Sequence, residues 1–508
     1  MNSRGGRWLI NSGANIIFAP MNRWKSILSF LFVLLLSVLT VESQDSGYNQ
    51  PEQNLYLNLF GELKHASVGV CVMESGSGAI ILETTPQLSL VPASVLKIIT
   101  SATALEILGP HYRFETRIDY SGEIDAETGT LNGNLIIVGG GDPALGSMYF
   151  KDHYLKNHFL DQWVKAIREK GIKKINGTVI ADASLYEQQM IPDTWVWEDL
   201  GNYYGAGACA LSVYDNMYEI TLQSGPAGSE CKLTGIFPEV PGLEIENKVR
   251  ASTVNRDLAY VFGSPFDNKR VIKGTIPENR KDFVIKASIP DPPFLLANQL
   301  NQKLAANNIP TGETVRASYQ SCKTGKIICC TVSPPLKDII RFLNHDSVNL
   351  FAEHLCKHLA YVETGKGTTA GGLEVIRKFW AQKGTDTGGM YLADGSGLSR
   401  FNAVTARQVT EILYFMKNSA HADIFRQSLP TVGSSNGTLY VFDKEKFPNG
   451  ALRAKSGSMT RVRGYAGFLK TKSGKELIFT IMLNNFSCSQ PEAIQKVEEF
   501  LHVLFLNE

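Results

Sequence analysis

This 508-residue chain is short of several signatures that would fix its chemistry at once. Its eight cysteines (71, 209, 231, 322, 329, 330, 356 and 488) form no C-x-x-C pair, so no thiol-redox or zinc motif is read from them. Cys329-Cys330 lies in an apolar run and reads as structural; any disulfide pairing stays open. Nine histidines are scattered without an H-E-x-x-H pattern. His354 and His358, four apart, read as helix-surface residues, and neither a metal nor another cofactor is expected. Gly139-Gly140-Gly141 runs into Asp142-Pro143 rather than Gly-Lys-Ser/Thr, which points to a tight turn and away from a phosphate loop. The net charge of +1 gives no attraction for nucleic acid. The apolar run from Ile27 to Leu39 has thirteen positions, too few to span a bilayer, so no integral membrane anchor is expected.

What is present starts with an export signal. Arg23 and Lys25 precede that apolar run, and Val41-Glu42-Ser43-Gln44 follows it with residues suited to cleavage after Ser43. Residues 1–43 are thus read as an N-terminal extension and signal peptide, and the mature chain as exported and soluble. An apolar content of 44% supports two or three domains with real cores. Residues 66–84 alternate around Val68, Val70 and Val72 and turn at Ser75-Gly76-Ser77-Gly78, the pattern of a hairpin. From about 115 to 332 the texture is short strands, glycine turns and isolated helices. Strands are expected at 131–138 and 174–181 and a helix at 155–170, and the Trp195/Trp197/Tyr203/Tyr204 cluster reads as core or domain seam. From 333 the chain turns helical (336–343, 347–359, 372–383, 405–417). Three strands (451–456, 465–470, 476–483) and a last helix (491–506) follow. The partition is therefore 44–114 and 333–508 as two parts of one domain, whose sheet draws strands from both chain ends, with 115–332 inserted between them.

The organising stretch is Pro92-Ala93-Ser94-Val95-Leu96-Lys97. Proline suits the first turn of a helix, and the helical pattern stops at Gly109-Pro110. Ser94 and Lys97, three apart, share one side of that turn. A serine needs an adjacent base to act as nucleophile, and a lysine serves if burial lowers its pKa. The same spacing recurs at Ser229 and Lys232, in a Gly/Pro/Ser-rich stretch without helical pattern. Two further elements single out Ser94. Ser347-Val348-Asn349 opens a helix, offering a hydroxyl to relay a proton and an amide to hold a carbonyl. Lys455-Ser456-Gly457 ends a strand, offering charge and a glycine that admits a substrate backbone. The lookalikes at 434–436, 323–325 and 472–474 lack the order or the element context.

Taken together, these three motifs resemble the penicillin-binding-protein-4-type D-alanyl-D-alanine carboxypeptidases, over roughly residues 55–490. Trp195 to Leu200, Tyr203 to Ala206, Asp394 to Arg400 and Leu429 to Leu439 add to the likeness, while Ser456 stands where that family commonly has threonine. The resemblance implies an α/β (α+β) fold. Its core would be a penicillin-binding/β-lactamase-like transpeptidase domain with a central antiparallel sheet flanked by helices, plus a strand-rich inserted region. It implies attack by Ser94 on the D-Ala–D-Ala carbonyl of peptidoglycan stem peptides, with Lys97 taking its proton and Ser347 relaying one to the departing amine. Asn349 would orient the peptide, and Lys455, Ser456 and Ser458 would hold the terminal carboxylate beside Gly457. The oxyanion would sit between the N–H groups of Ser94 and Ser458. Arg400 is expected at the substrate; Asp182 is either a contact to the third residue of the stem peptide or a structural turn residue. β-Lactams are expected to acylate Ser94, and the periplasm is the implied location. A non-catalytic cell-wall-binding protein and a β-lactamase remain as other readings, although no Glu-x-x-Leu-Asn segment is present for the latter. Carboxypeptidase against endopeptidase is left open.

Overall fold

The computed structural model describes residues 63, 65–154, 158–312, 314–322, 325–434 and 437–507. The expected signal peptide lies outside the described residues. The sheet that organises the rest is built from both ends of the chain. Strands β1 (Ser67–Glu74) and β2 (Ile80–Thr84) join β3 (Leu452–Met459), β4 (Val462–Lys470) and β5 (Glu476–Asn484) in the order β3-β4-β5-β1-β2, all antiparallel. Alternate side chains of a strand face opposite ways, and this sheet is covered on both faces. Val68, Val70 and Val72 of β1 join Phe479, Ile481 and Leu483 in a core with Val497, Phe500, Leu501 and Leu504 of the C-terminal helix. Cys71 and Met73 face the other way, into the core that holds Ile98, Ala102 and Leu105.

Those last residues belong to helix α1 (Lys97–Leu108), and every residue from Lys97 to Leu105 is buried. A helix buried on all its faces runs inside a domain, and α1 carries Lys97, Thr100, Ser101 and Thr103 into that interior along with its apolar residues. It ends where Gly109, at φ 80°, caps Leu105 O. The sequence places Ser94 in the first turn of that helix. The structure instead sets Ala93–Leu96 as a separate 3₁₀ turn, with Ala93 at φ 46°. Helices α2 (Leu336–His345), α3 (Asn349–Thr364), α4 (Thr369–Gln382) and α5 (Ala406–Lys417) surround α1.

Between the two halves, residues 115–332 form further sheets, the largest being five-stranded (315–318, 179–182, 135–138, 115–120, 326–332). The expected strand 131–138 is broken at Gly133-Asn134, where Gly133 packs against Ser121 O with no room for a side chain. The expected strand 174–181 breaks likewise at Asn176-Gly177. Pro292–Ala306 is a helix that periodicity did not reveal; Asp291 caps it by accepting the Phe294 N–H.

The histidines at 354 and 358 are not on a helix surface. Both are buried on the face of α3 that meets the inserted region. His354 accepts the Ser212 hydroxyl at Nε2 (2.7 Å) and donates from Nδ1 to Gly141 O (3.1 Å). His358 lies between the hydroxyls of Tyr112 (2.7 Å) and Tyr186 (3.0 Å). Burial pushes their pKa values down to about 3 and about 4, so both are neutral. All eight cysteines are free thiols, and Cys330 is exposed. Among the described residues no helix is long and apolar enough to cross a membrane.

Candidate active site

The three motifs meet at one cleft of about 420 Å³, lined among others by Ser94, Ser347, Asn349, Arg400 and Ser458. Strand β3 is the sheet edge, and it packs directly on the Ser94 turn. A side chain on Gly457 would lie 2.5 Å from Pro92 O and 3.0 Å from Ser94 N. The sequence reading gave this glycine's empty space to a substrate backbone; the structure gives it to the nucleophile turn. Gly397 (φ 83°) does the same from the other side, where a side chain would meet Ala93 O at 1.9 Å.

Lys97 is fully buried, and its Nζ lies 3.0 Å from Ser94 Oγ, 2.6 Å from Asn349 Oδ1 and 2.7 Å from Ser396 O. A neutral amine has two N–H groups and one lone pair. The carbonyl oxygens of Asn349 and Ser396 take the two N–H groups, which leaves the lone pair for the Ser94 hydroxyl. Burial lowers the Lys97 pKa to about 7, against the opposing fields of Asp394 and Glu353. Neither carboxylate is near Lys97 in sequence. Both are locked by N–H donors: Glu353 by Gly395 and Ser396, Asp394 by Gly397, Ser399, Asn402 and the Trp195 indole. Burial, reinforced by Asp394, pushes Glu353 up to about 7.

Ser347 does not open helix α3 but precedes it, at φ 61°, with Val348 as N-cap. A left-handed non-glycine residue costs of order 1–3 kcal/mol and persists only where its surroundings enforce it. Here Lys455 Nζ, buried, donates to Ser347 Oγ (3.0 Å) and to Ser456 O (2.7 Å). Burial first, then the charge of Lys97, hold the Lys455 pKa well below its ordinary value. Asn349 Nδ2 donates to Tyr204 O (2.8 Å), tying the inserted region to the site.

Of the sequence candidates, Ser94, Lys97, Ser347, Asn349, Lys455, Ser456, Gly457, Ser458 and Arg400 come together here. Asp182 does not. It is buried at a strand end, away from the cleft, with its oxygens accepting the N–H groups of Ser184 (2.9 Å) and Cys322 (2.7 Å). That is the turn-residue alternative. Ser229 lies outside the cleft, with its hydroxyl on Pro226 O. The aromatic cluster also divides: Trp195 is buried on Asp394, Trp197 is exposed, and Tyr203 and Tyr204 line the cleft. Glu353, Asp394 and Ser396 were not singled out as site residues. Glu353 carried one signal, a carboxylate four residues after Asn349 that directly follows the apolar Leu350-Phe351-Ala352. Among the described residues no group of three or more His, Cys, Asp or Glu is placed to hold a metal ion.

Fold and site together define a serine peptidase of penicillin-binding architecture. The sequence profile of the D-Ala-D-Ala carboxypeptidase 3 (S13) family matches residues 54–503, and the chain belongs to that family. It is 26% identical over 449 residues to a D-alanyl-D-alanine carboxypeptidase of Actinomadura sp. (strain R39), covering 85% of this chain and 80% of the relative. It is 24% identical over 440 residues to D-alanyl-D-alanine carboxypeptidase DacB of Haemophilus influenzae, covering 85% and 88%. Among solved structures it is similar to penicillin-binding protein 4 (DacB) of H. influenzae, with a TM-score of 0.77 at 23% identity, over 89% of this chain and 99% of that one. The same protein complexed with a β-lactam gives 0.71 at 22% identity, over the same shares.

Proposed function

We propose that the chain cleaves the D-Ala–D-Ala bond of peptidoglycan stem peptides through an acyl-enzyme on Ser94, and that β-lactams acylate the same oxygen. The observation that carries this is the Lys97 environment: two carbonyl acceptors, one serine hydroxyl and a pKa near neutrality. Lys97 takes the Ser94 proton as Oγ bonds to the carbonyl carbon, and the oxyanion falls between the N–H groups of Ser94 and Ser458. Ser347, bonded to Lys455, delivers a proton to the departing amine as the C–N bond breaks, and the proton that Lys97 took replaces it. Water then attacks the ester, giving a proton to Lys97, which returns it to Ser94 Oγ as the C–O bond breaks. Asn349 orients the peptide, Arg400 faces it from the cleft wall, and Lys455 with Ser456 and Ser458 receives the terminal carboxylate. Residues 44–114 and 333–508 form the catalytic domain, 115–332 is an insertion beside the cleft, and the protein works in the periplasm after loss of residues 1–43. Release of D-alanine from a monomeric pentapeptide, with labelling by a fluorescent penicillin, tests the reading. Ser94→Ala loses both and Ser229→Ala keeps both; label that survives Ser94→Ala overturns the nucleophile.

A further inference from the structure

Two carbonyl oxygens take the N–H bonds of Lys97, those of Asn349 and Ser396, and one stretch of residues 115–332 holds both. The other end of the Asn349 amide donates to Tyr204 O (2.8 Å). Ser396 O is carried by a turn built on the Asp394 carboxylate. That carboxylate accepts the N–H groups of Gly397 and Ser399, the Asn402 amide (2.8 Å) and the Trp195 indole Nε1–H (2.9 Å). The first three donors belong to the turn's own stretch, whereas the indole comes from 199 residues away. Trp195 is 7% exposed and Asp394 fully buried, so water does not compete for their bond. The stretch from Trp195 to Tyr204 is fixed in turn by strands 258–262 and 283–288. Leu200 O accepts the Ser288 hydroxyl (2.7 Å), Gly201 O accepts the Ser288 N–H (2.9 Å) and Asn202 Oδ1 accepts the Val261 N–H (3.0 Å). A side chain on Gly201 would meet Val261 O at 2.1 Å.

We propose that Trp195 is a positioning residue for the Lys97 base, acting through the Asp394 carboxylate and Ser396 O, so that residues 115–332 set the readiness of a site whose reacting groups lie outside them. The proposal rests on Lys97 acting as the base in the function proposed above. One bond has two effects. Its geometry fixes Asp394 Oδ2, and with it the turn that aims Ser396 O at Lys97 and lays Gly397 against Ala93 O. Its dipole sets a partial positive charge on the carboxylate, offsetting part of the field that Asp394 exerts on Lys97. The charged groups that face Lys97 are Asp394 from this turn, Glu353 from α3 and Lys455 from β3. Of these, Asp394 is the one that the indole holds. Without the N–H the Asp394 field strengthens, the ammonium form of Lys97 gains, and the basic form appears only at higher pH.

The test follows acylation of the full chain by a fluorescent penicillin against pH, in wild type, in Trp195→Phe and with benzothienylalanine in place of Trp195. The last has sulfur where the indole has N–H, in a ring of the same shape, and so keeps the packing where Trp195→Phe fails to fold. In both variants the acidic limb is expected to move to higher pH, raising the ratio of rates at pH 8 and pH 6 by about twofold or more over wild type. An unchanged ratio in both overturns the proposal even where the rate falls, since lost packing slows acylation equally at every pH. A limb displaced to lower pH overturns it as well. A flat wild-type profile overturns the base and this role together. A wild type that takes penicillin but releases no D-alanine overturns the proposed peptide cleavage alone, because the limb is read from acylation.

Discussion

Lys97 is where a single residue's environment sets the chemistry. Leaving an amine without water favours its neutral form, while Asp394 and Glu353 favour the charged one; the outcome is a pKa of about 7. The sign follows directly: the basic form rises with pH, so acylation by a fluorescent penicillin should fall about tenfold from pH 8 to pH 6, following the neutral fraction. A flat profile over that range would remove Lys97 from the base role. Lys97→Arg keeps the charge and cannot give up a proton, so it should abolish acylation while the circular dichroism spectrum is unchanged. Glu353→Gln should move the acidic limb of the profile to lower pH, because the carboxylate it removes holds the Lys97 pKa up. A limb that stays in place or moves to higher pH contradicts the assigned field.

At the scale of elements, the edge strand β3 and the Ser94 turn are held at backbone contact by two glycines. Gly457→Ala puts a methyl group against Pro92 O and Ser94 N, atoms of main chain that cannot swing away. Overpacking of this kind costs about 1–3 kcal/mol. The larger effect is expected on rate, since in the proposed mechanism the strand and Ser94 both face the developing oxyanion. Stopped-flow acylation should slow by about a hundredfold or more, corresponding to about 2.7 kcal/mol of lost transition-state stabilisation. An acylation rate within threefold of wild type would show that this contact does not set the site geometry.

Across the whole molecule, helix α3 joins residues 115–332 to the elements around Lys97. Its first turn carries Asn349, bonded to Lys97 and to Tyr204 O, and its next turns carry Glu353, His354 and His358. Ser212→Ala would leave His354 Nε2 and an Asn216 N–H unpaired inside this seam. Such losses cost about 1–3 kcal/mol, so the unfolding free energy from urea titration should fall by about that amount and the midpoint should move to lower urea. An unchanged midpoint would mean that the seam does not depend on this bond.

The sequence by itself determined whatever depends on neighbours a few residues away. The three-residue spacing of Ser94 and Lys97 needs only one helical turn to bring them together. The alternation of Val68, Val70 and Val72, and the runs that became β3 to β5, record which faces are buried. The order of the three motifs carried the family. Tertiary structure alone decided the rest, because the deciding contacts join residues far apart in the chain. Glu353 reaches Lys97 only through the packing of α3 on α1, and Asp394 only through the loop whose Ser396 O meets Lys97; together they settle how far its pKa falls. Ala93 and Ser347 carry residue types that give no hint of a left-handed backbone; their neighbours impose it. Gly457 looked like room for a substrate and proved to be room for the nucleophile's own turn, since only the folded chain shows which backbone fills the gap a missing side chain leaves.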